Sequence, residues 1–229
     1  MAESYKIRHF LVLSILHEFY INFHSYSNKK YYFCDTGNHM SKLDHLKKHL
    51  KQGNVYRRAD LEQWTTSVDR HLAALVKEGT LKKMSPGVYY FPKQSAFGAT
   101  PPEEETLVRS FLKDDRFLVT SPNAYNSLGV GTTQLYNQST VYNHKRHGEF
   151  KLGNRKFDFQ LKHHFPEKLT KEFLMVDLVN NLDKLAEDPE EVLKNVSHKV
   201  ASMDHNKLQH SVNLYASNKA KKIFEPLLR

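Results

Sequence analysis

From residue 41 onward, apolar positions recur with a helical rhythm. Leu43, Leu46 and Leu50 lie three and four apart and predict a helix over residues 41–52, opened by the capping pair Ser41 and Asp44 and stopped by Gly53. Val55-Tyr56 reads as extended, and residues 58–64 as a short second helix that turns Leu61 and Trp64 inward. A third helix begins at Thr66-Ser67-Val68-Asp69, which has the T-x-x-D form of a capping box with Thr66 at the N-cap and Asp69 at N3. Val68, Leu72, Leu75 and Val76 share one face of it, Thr66, Asp69, Arg70, Ala73 and Lys77 the other, and Gly79 ends it. Residues 81–84 and 87–91 then flank Ser85-Pro86-Gly87, a turn in which Pro fixes φ and Gly allows it to be positive. Helix, helix and hairpin in this order predict a winged helix-turn-helix over residues 40–97.

Downstream the pattern changes. Gly98, Pro101 and Pro102 interrupt any regular element and mark a domain boundary, with a second domain over residues 103–229. It opens with a helix whose first turn is acidic at Glu103, Glu104 and Glu105, which favours the helix dipole. A strand at 117–119 follows, then a helix at 121–128 with Ser121 as N-cap and Pro122 at N1. Strands are expected at 140–143, 149–152 and 156–161, and helices at 172–185, 188–202 and 207–224. The predicted fold class is therefore α+β: an N-terminal winged helix-turn-helix followed by a mixed α/β domain ending in helices. Residues 1–39 form an N-terminal extension. Its apolar run at 10–23 is interrupted by His17, Glu18 and Asn22 and is shorter than the roughly 20 apolar residues a membrane span needs. An amphipathic or buried helix is expected there, with no membrane association. Met40, immediately before the first clean helix, marks a candidate natural start.

Charge sharpens this division. Residues 1–100 carry 15 Lys and Arg against 8 Asp and Glu, whereas residues 101–229 carry 19 against 17. The basic excess thus sits with the helix-turn-helix pattern, the electrostatic footprint of a nucleic-acid module joined to a second domain. The expected partner is double-stranded DNA. Thr66, Ser67 and Arg70 would face bases and Arg57, Arg58, Lys82 and Lys83 would hold phosphates, with His71 and Lys77 completing the interface. Ala73 and Ala74 allow close approach, and Trp64 reads as core rather than as a stacking platform. The single cysteine, Cys34, excludes a disulfide framework and a cysteine zinc site, and fits a reducing, cytoplasmic setting. A monomer or weak dimer is expected.

Catalytic motifs are absent. There is no nucleophile elbow, no H-E-x-x-H and no kinase set. His144 with His147, and His163 with His164, lack accompanying carboxylates or thiols, so neither a metal nor a cofactor is expected. Gly129-Val130-Gly131 does not make a phosphate loop and reads as a helix end followed by a turn. Asp158 between Lys156 and Lys162 has the look of a nuclease strand, but alternation along an exposed strand explains it equally well. A nucleic-acid-processing enzyme with a winged-helix substrate-binding domain therefore stands as the alternative to a non-enzymatic regulator.

Several stretches resemble AbiEi-type antitoxins of type IV (abortive infection) toxin–antitoxin systems. In the first half these are Gly53-Asn54-Val55-Tyr56-Arg57-Arg58, Val68-Asp69-Arg70-His71-Leu72 with Leu75-Val76, Gly79-Thr80-Leu81 and Gly87-Val88-Tyr89-Tyr90. In the second half they are Ser121-Pro122-Asn123-Ala124-Tyr125 and Leu128-Gly129-Val130-Gly131-Thr132-Thr133-Gln134. The helix-turn-helix half is shared by many repressors; the glycine-threonine segment is the more specific part. The resemblance covers roughly residues 40–196. It implies a winged helix that binds inverted repeats upstream of its own operon and represses it. It also implies a second domain that counters a cognate nucleotidyltransferase-like toxin, with or without direct contact. It transfers no catalytic residues.

Overall fold

Ser41 opens helix α1 (Lys42–His49) by accepting the Asp44 amide at 3.1 Å, and its hydroxyl in turn donates to the Asp44 carboxylate. The computed structural model that begins here describes residues 41–229; the expectations for residues 1–39 and for Met40 as a start lie outside the described residues. Strand β1 (Val55–Arg57) and helices α2 (Arg58–Leu61) and α3 (Val68–Lys77) follow, then strands β2 (Lys82–Ser85) and β3 (Val88–Tyr90). The three strands form an antiparallel sheet in the order β1-β3-β2. Leu46, Leu61, Leu72, Leu75 and Leu81 are essentially inaccessible and close one core, each contributing about 1.5–3 kcal/mol by burial. Trp64 packs against this core with its ring stacked on His49.

Three details differ from the periodicity. Helix α2 ends at Leu61 rather than at 64. Val76 is exposed rather than buried. The predicted capping box on Thr66 and Asp69 does not form: α3 starts after Ser67, no side chain caps it, and Asp69 sits at the second helical position. The approach to α3 is fastened one residue earlier than expected. The Thr65 hydroxyl accepts the Ser67 amide at 3.3 Å and bonds His71 Nδ1 at 2.9 Å.

Residues 94–99 form a small hairpin, β4 (Gln94–Ser95) with β5 (Gly98–Ala99), and Phe97 at its tip is fully exposed. The chain continues as α4 (Glu104–Leu112), β6 (Phe117–Thr120), a 3-10 helix (Pro122–Leu128), β7 (Gln138–Asn143), β8 (Gly148–Leu152) and β9 (Arg155–Leu161). The second sheet runs β6-β7-β9-β8, with β7 parallel to β9 and the other pairs antiparallel. One of its faces is apolar. Val141, Leu152, Phe157 and Phe159 pack on Leu107, Val108 and Leu112 of α4, and the same cluster takes in Val88 with half-buried Val55 and Met84 from the first sheet. The expected boundary near residue 98 therefore separates two lobes that share a core, and residues 41–229 form one compact unit.

The other face of the second sheet mixes polar side chains with Leu118 and Tyr142, and meets α5 (Lys171–Asn181) through Phe173. Asp177 of α5 is buried there. Its carboxylate accepts the Tyr125 and Tyr142 hydroxyls at 2.8 Å each and Lys162 Nζ at 3.2 Å, with Asn181 Nδ2 also at 3.2 Å. Burial foremost, and then this carboxylate, push both tyrosine hydroxyls well above the ordinary phenol range. Helices α6 (Pro189–Val200), α7 (His205–Tyr215) and α8 (Asn218–Phe224) cover α5 through Val192, Val196, Leu208 and Phe224. The single helix expected at 207–224 is two, because Ser217 caps a new start by accepting the Ala220 amide at 3.2 Å.

Candidate nucleic-acid interface

Helix α3 is held from behind and open in front. Val68, Leu72 and Leu75 anchor it in the first core, whereas Thr66, Asp69, Arg70, Ala73 and Lys77 are exposed. The hairpin β2–β3 follows, with Lys82 and Lys83 exposed on β2. A rigid helix with a polar face of short and hydrogen-bonding side chains, flanked by a basic hairpin, has the shape and chemistry that a major groove and its phosphates accept.

The nine residues singled out in the sequence separate into three groups. Thr66, Arg70, Lys77, Lys82 and Lys83 are exposed, and Ser67 is half-buried beside them. Arg57 and Arg58, at the surface, are engaged by the protein's own carboxylates. Arg57 grips the Asp60 carboxylate through Nε at 3.0 Å and Nη2 at 2.8 Å, which lowers the Asp60 pKa. Arg58 forks onto Asp69 through Nε and Nη2, both at 2.7 Å, and also meets Glu62. These bonds, chiefly that to Asp69, raise the Arg58 pKa, and Arg58 lowers that of Asp69. Asp69 is thus neither a cap nor a free charge: the fork cancels its negative charge on the α3 surface. His71 is the correction. Its ring is buried, 6 % exposed, and bonded to Thr65, so it supports α3 from within and does not face a ligand. Burial first, then Arg70 and Lys42, hold its pKa below the ordinary 6.5.

The fold also brings up cations that the sequence pattern passes over. Lys151, Arg155 and Lys156 surround the Gly153-Asn154 turn of the β8–β9 hairpin, whose Gly153 amide donates to the Met84 carbonyl of β2 at 2.7 Å. Three cations within six residues around a tight turn are visible in the sequence, but their position beside β2 is not. The glycine-threonine segment has a structural task. Gly129, at φ 67°, closes the 3-10 helix, and the amides of Thr133 and Gln134 both donate to the Glu187 carboxylate at 3.1 Å. Those amides, which in a phosphate loop would face an anion, are taken by the protein's own carboxylate. Glu149 and Asp158 lie opposite each other on β8 and β9. Among the described residues, no group of three or more His, Cys, Asp and Glu side chains is placed to hold a metal ion. No described helix is long and apolar enough to cross a membrane.

A family model described as "Family of unknown function (DUF6088)" matches residues 42–211. Among solved structures, the crystal structure of the RV2827C protein from Mycobacterium tuberculosis is similar, with a TM-score of 0.50 at 16 % identity over 81 % of this chain and 74 % of that one. At that identity the likeness concerns the fold alone. No curated protein matches the chain.

Proposed function

We propose that this chain, which belongs to the DUF6088 family, is a double-stranded-DNA-binding regulator. In this reading residues 42–91 are a winged helix-turn-helix, α3 is the recognition helix and β2–β3 is the wing. The order helix, strand, helix, helix, hairpin, with β1 closing the sheet against β3, supports the assignment. The observation that carries it is the division of α3 into a buried apolar face and an exposed face bearing Thr66, Arg70 and Lys77, next to Lys82 and Lys83. The neutralisation of Asp69 by Arg58 supports it too, because it removes the one negative charge from that face.

The resemblance to AbiEi-type antitoxins extends the proposal: the chain represses its own operon by binding inverted repeats upstream, and it opposes a nucleotidyltransferase-like toxin encoded beside it, in the cytoplasm and without catalysis of its own. A mobility-shift titration over a salt series tests the first part. Tighter binding to the upstream region of its own gene than to random duplex of equal length is expected, and equal binding would defeat the repressor reading. Growth rescue upon co-expression with the neighbouring toxin tests the second.

A further inference from the structure

The bond between the Gly153 amide and the Met84 carbonyl sets the β8–β9 turn directly against β2. A Cβ on Gly153 would overlap the Met84 side chain, and the glycine has φ +63°, so the two segments are as close as a glycine permits. Between them is a cleft of about 260 Å³, lined by Lys82, Lys83, Asn154 and Arg155 among others. Asn154 and Arg155 also line the neighbouring groove, about 780 Å³, which continues past Lys156 and Gln138 along the end of the second sheet. The Thr120 hydroxyl in its wall belongs to a residue 5 % exposed and has no hydrogen-bond partner.

Cations predominate along this path, with Glu104 the one acidic side chain in the groove's wall. Lys151 and Lys156 are cross-strand partners, so their side chains stand on the same face, and both are exposed. Like charges directly opposite each other destabilise a sheet. Among the described residues neither ammonium makes a hydrogen bond or an ion pair, nor do those of Lys82 and Lys83. Arg155 is held in place: it donates to the Pro102 carbonyl at 3.1 Å and meets Glu104 at 3.5 Å. One rung further along the same face, Glu149 opposite Asp158 reverses the sign and ends the basic strip.

We propose that this strip, from Lys82 and Lys83 across Asn154 to Lys151 and Lys156, is a second phosphate-contact surface for double-stranded DNA, by which the second lobe follows the sugar–phosphate strand as it leaves the wing. The inference rests on the reading of residues 42–91 as a DNA-binding module. The cations are spread over two adjoining clefts, Lys82 and Lys83 in one and Lys156 in the other with Arg155 shared, which suits a polyanion backbone better than a compact ligand. Single-stranded nucleic acid would need free aromatic faces on which bases stack. Of the aromatic residues lining these two clefts, Tyr90 is buried and Tyr136 is tied down by Asn123, with its hydroxyl accepting the Ala186 amide at 2.8 Å; exposed Phe97 lines neither cleft.

The test measures affinity of the full chain for a random duplex of about three helical turns, roughly 30 base pairs, over a salt series. Each phosphate contact contributes about 0.9 to the slope of log affinity against log salt. Lys151→Ala/Lys156→Ala should therefore flatten the slope by about 2, and Lys82→Ala/Lys83→Ala should do the same, with the quadruple variant losing both. The glutamine versions should match the alanine ones, because charge is what is removed. A Lys151/Lys156 variant with an unaltered slope, beside a Lys82/Lys83 variant that loses it, overturns the proposal and leaves the DNA-binding reading intact. An unaltered chain that fails to bind the duplex even at low salt overturns both. Competition by a mononucleotide or a single-stranded oligonucleotide that depends on Lys151 and Lys156, with duplex binding untouched, would assign the strip to that ligand and also defeat the proposal.

Discussion

At the scale of single residues, the Arg58–Asp69 fork is the most consequential bond near the proposed interface. Arg58→Ala would leave the Asp69 carboxylate uncompensated on the exposed face of α3, so DNA affinity should fall by more than the loss of one cation explains. Asp69→Asn in the same background should recover most of the loss; equal affinities of the single and double variants would sink this account. His71 makes a different prediction. Its folded-state pKa lies below 6.5, so between the two values the unfolded chain binds more protons and stability declines as pH falls. The contribution is intact above about 6.5 and is lost progressively below it. Urea midpoints at neutral and mildly acidic pH should show a smaller acid-induced drop for His71→Gln than for the unaltered chain, and equal drops would refute the assignment. None of these partners was legible in the sequence. Arg58 and Asp69 are eleven positions apart, and helical periodicity alone does not say whether His71 points at Thr65 or at solvent.

Elements were more legible than their ends. Leucine spacing located α1 and α3, and strand alternation located β7, β8 and β9 to within a residue or two. The break between α7 and α8 was hidden because Leu208, Val212, Ala220 and Phe224 keep a helical period across it, while the Ser217 cap acts through a single hydrogen bond. The role of α5 was hidden too, since an acidic residue in the middle of an apolar helix carries no mark of its partners. Asp177 ties α5 to the second sheet and to the 3-10 helix through Tyr125 and Tyr142. Asp177→Ala would strand two buried hydroxyls and the Lys162 ammonium, and should cost about 3–5 kcal/mol. Chemical denaturation reads this directly, and a loss under about 1 kcal/mol would show that the network is dispensable.

For the molecule as a whole, the decisive fact is that Val88, Val55 and Met84 of the first lobe sit in the core built by Leu107, Val108 and Phe157 of the second. The charge split and the Pro/Gly stretch pointed to a division near residue 98; they carried no information about a shared interior, because a core is assembled from residues distant in sequence. The two lobes should melt together. Trp64, the single tryptophan, reports on the first lobe alone, whereas far-ultraviolet circular dichroism reports on both. Coincident denaturation curves are expected, and a separate Trp64 transition would mean independent domains. The Gly153–Met84 contact then acquires a mechanical meaning. The β8–β9 turn and the β2–β3 hairpin are coupled as two arms of one lever, so a ligand that displaces the second sheet also displaces the hairpin proposed to hold DNA. Linkage makes that coupling reciprocal: to the extent that DNA at the proposed interface changes the affinity of the second lobe for a partner, that partner changes the affinity for DNA by the same factor.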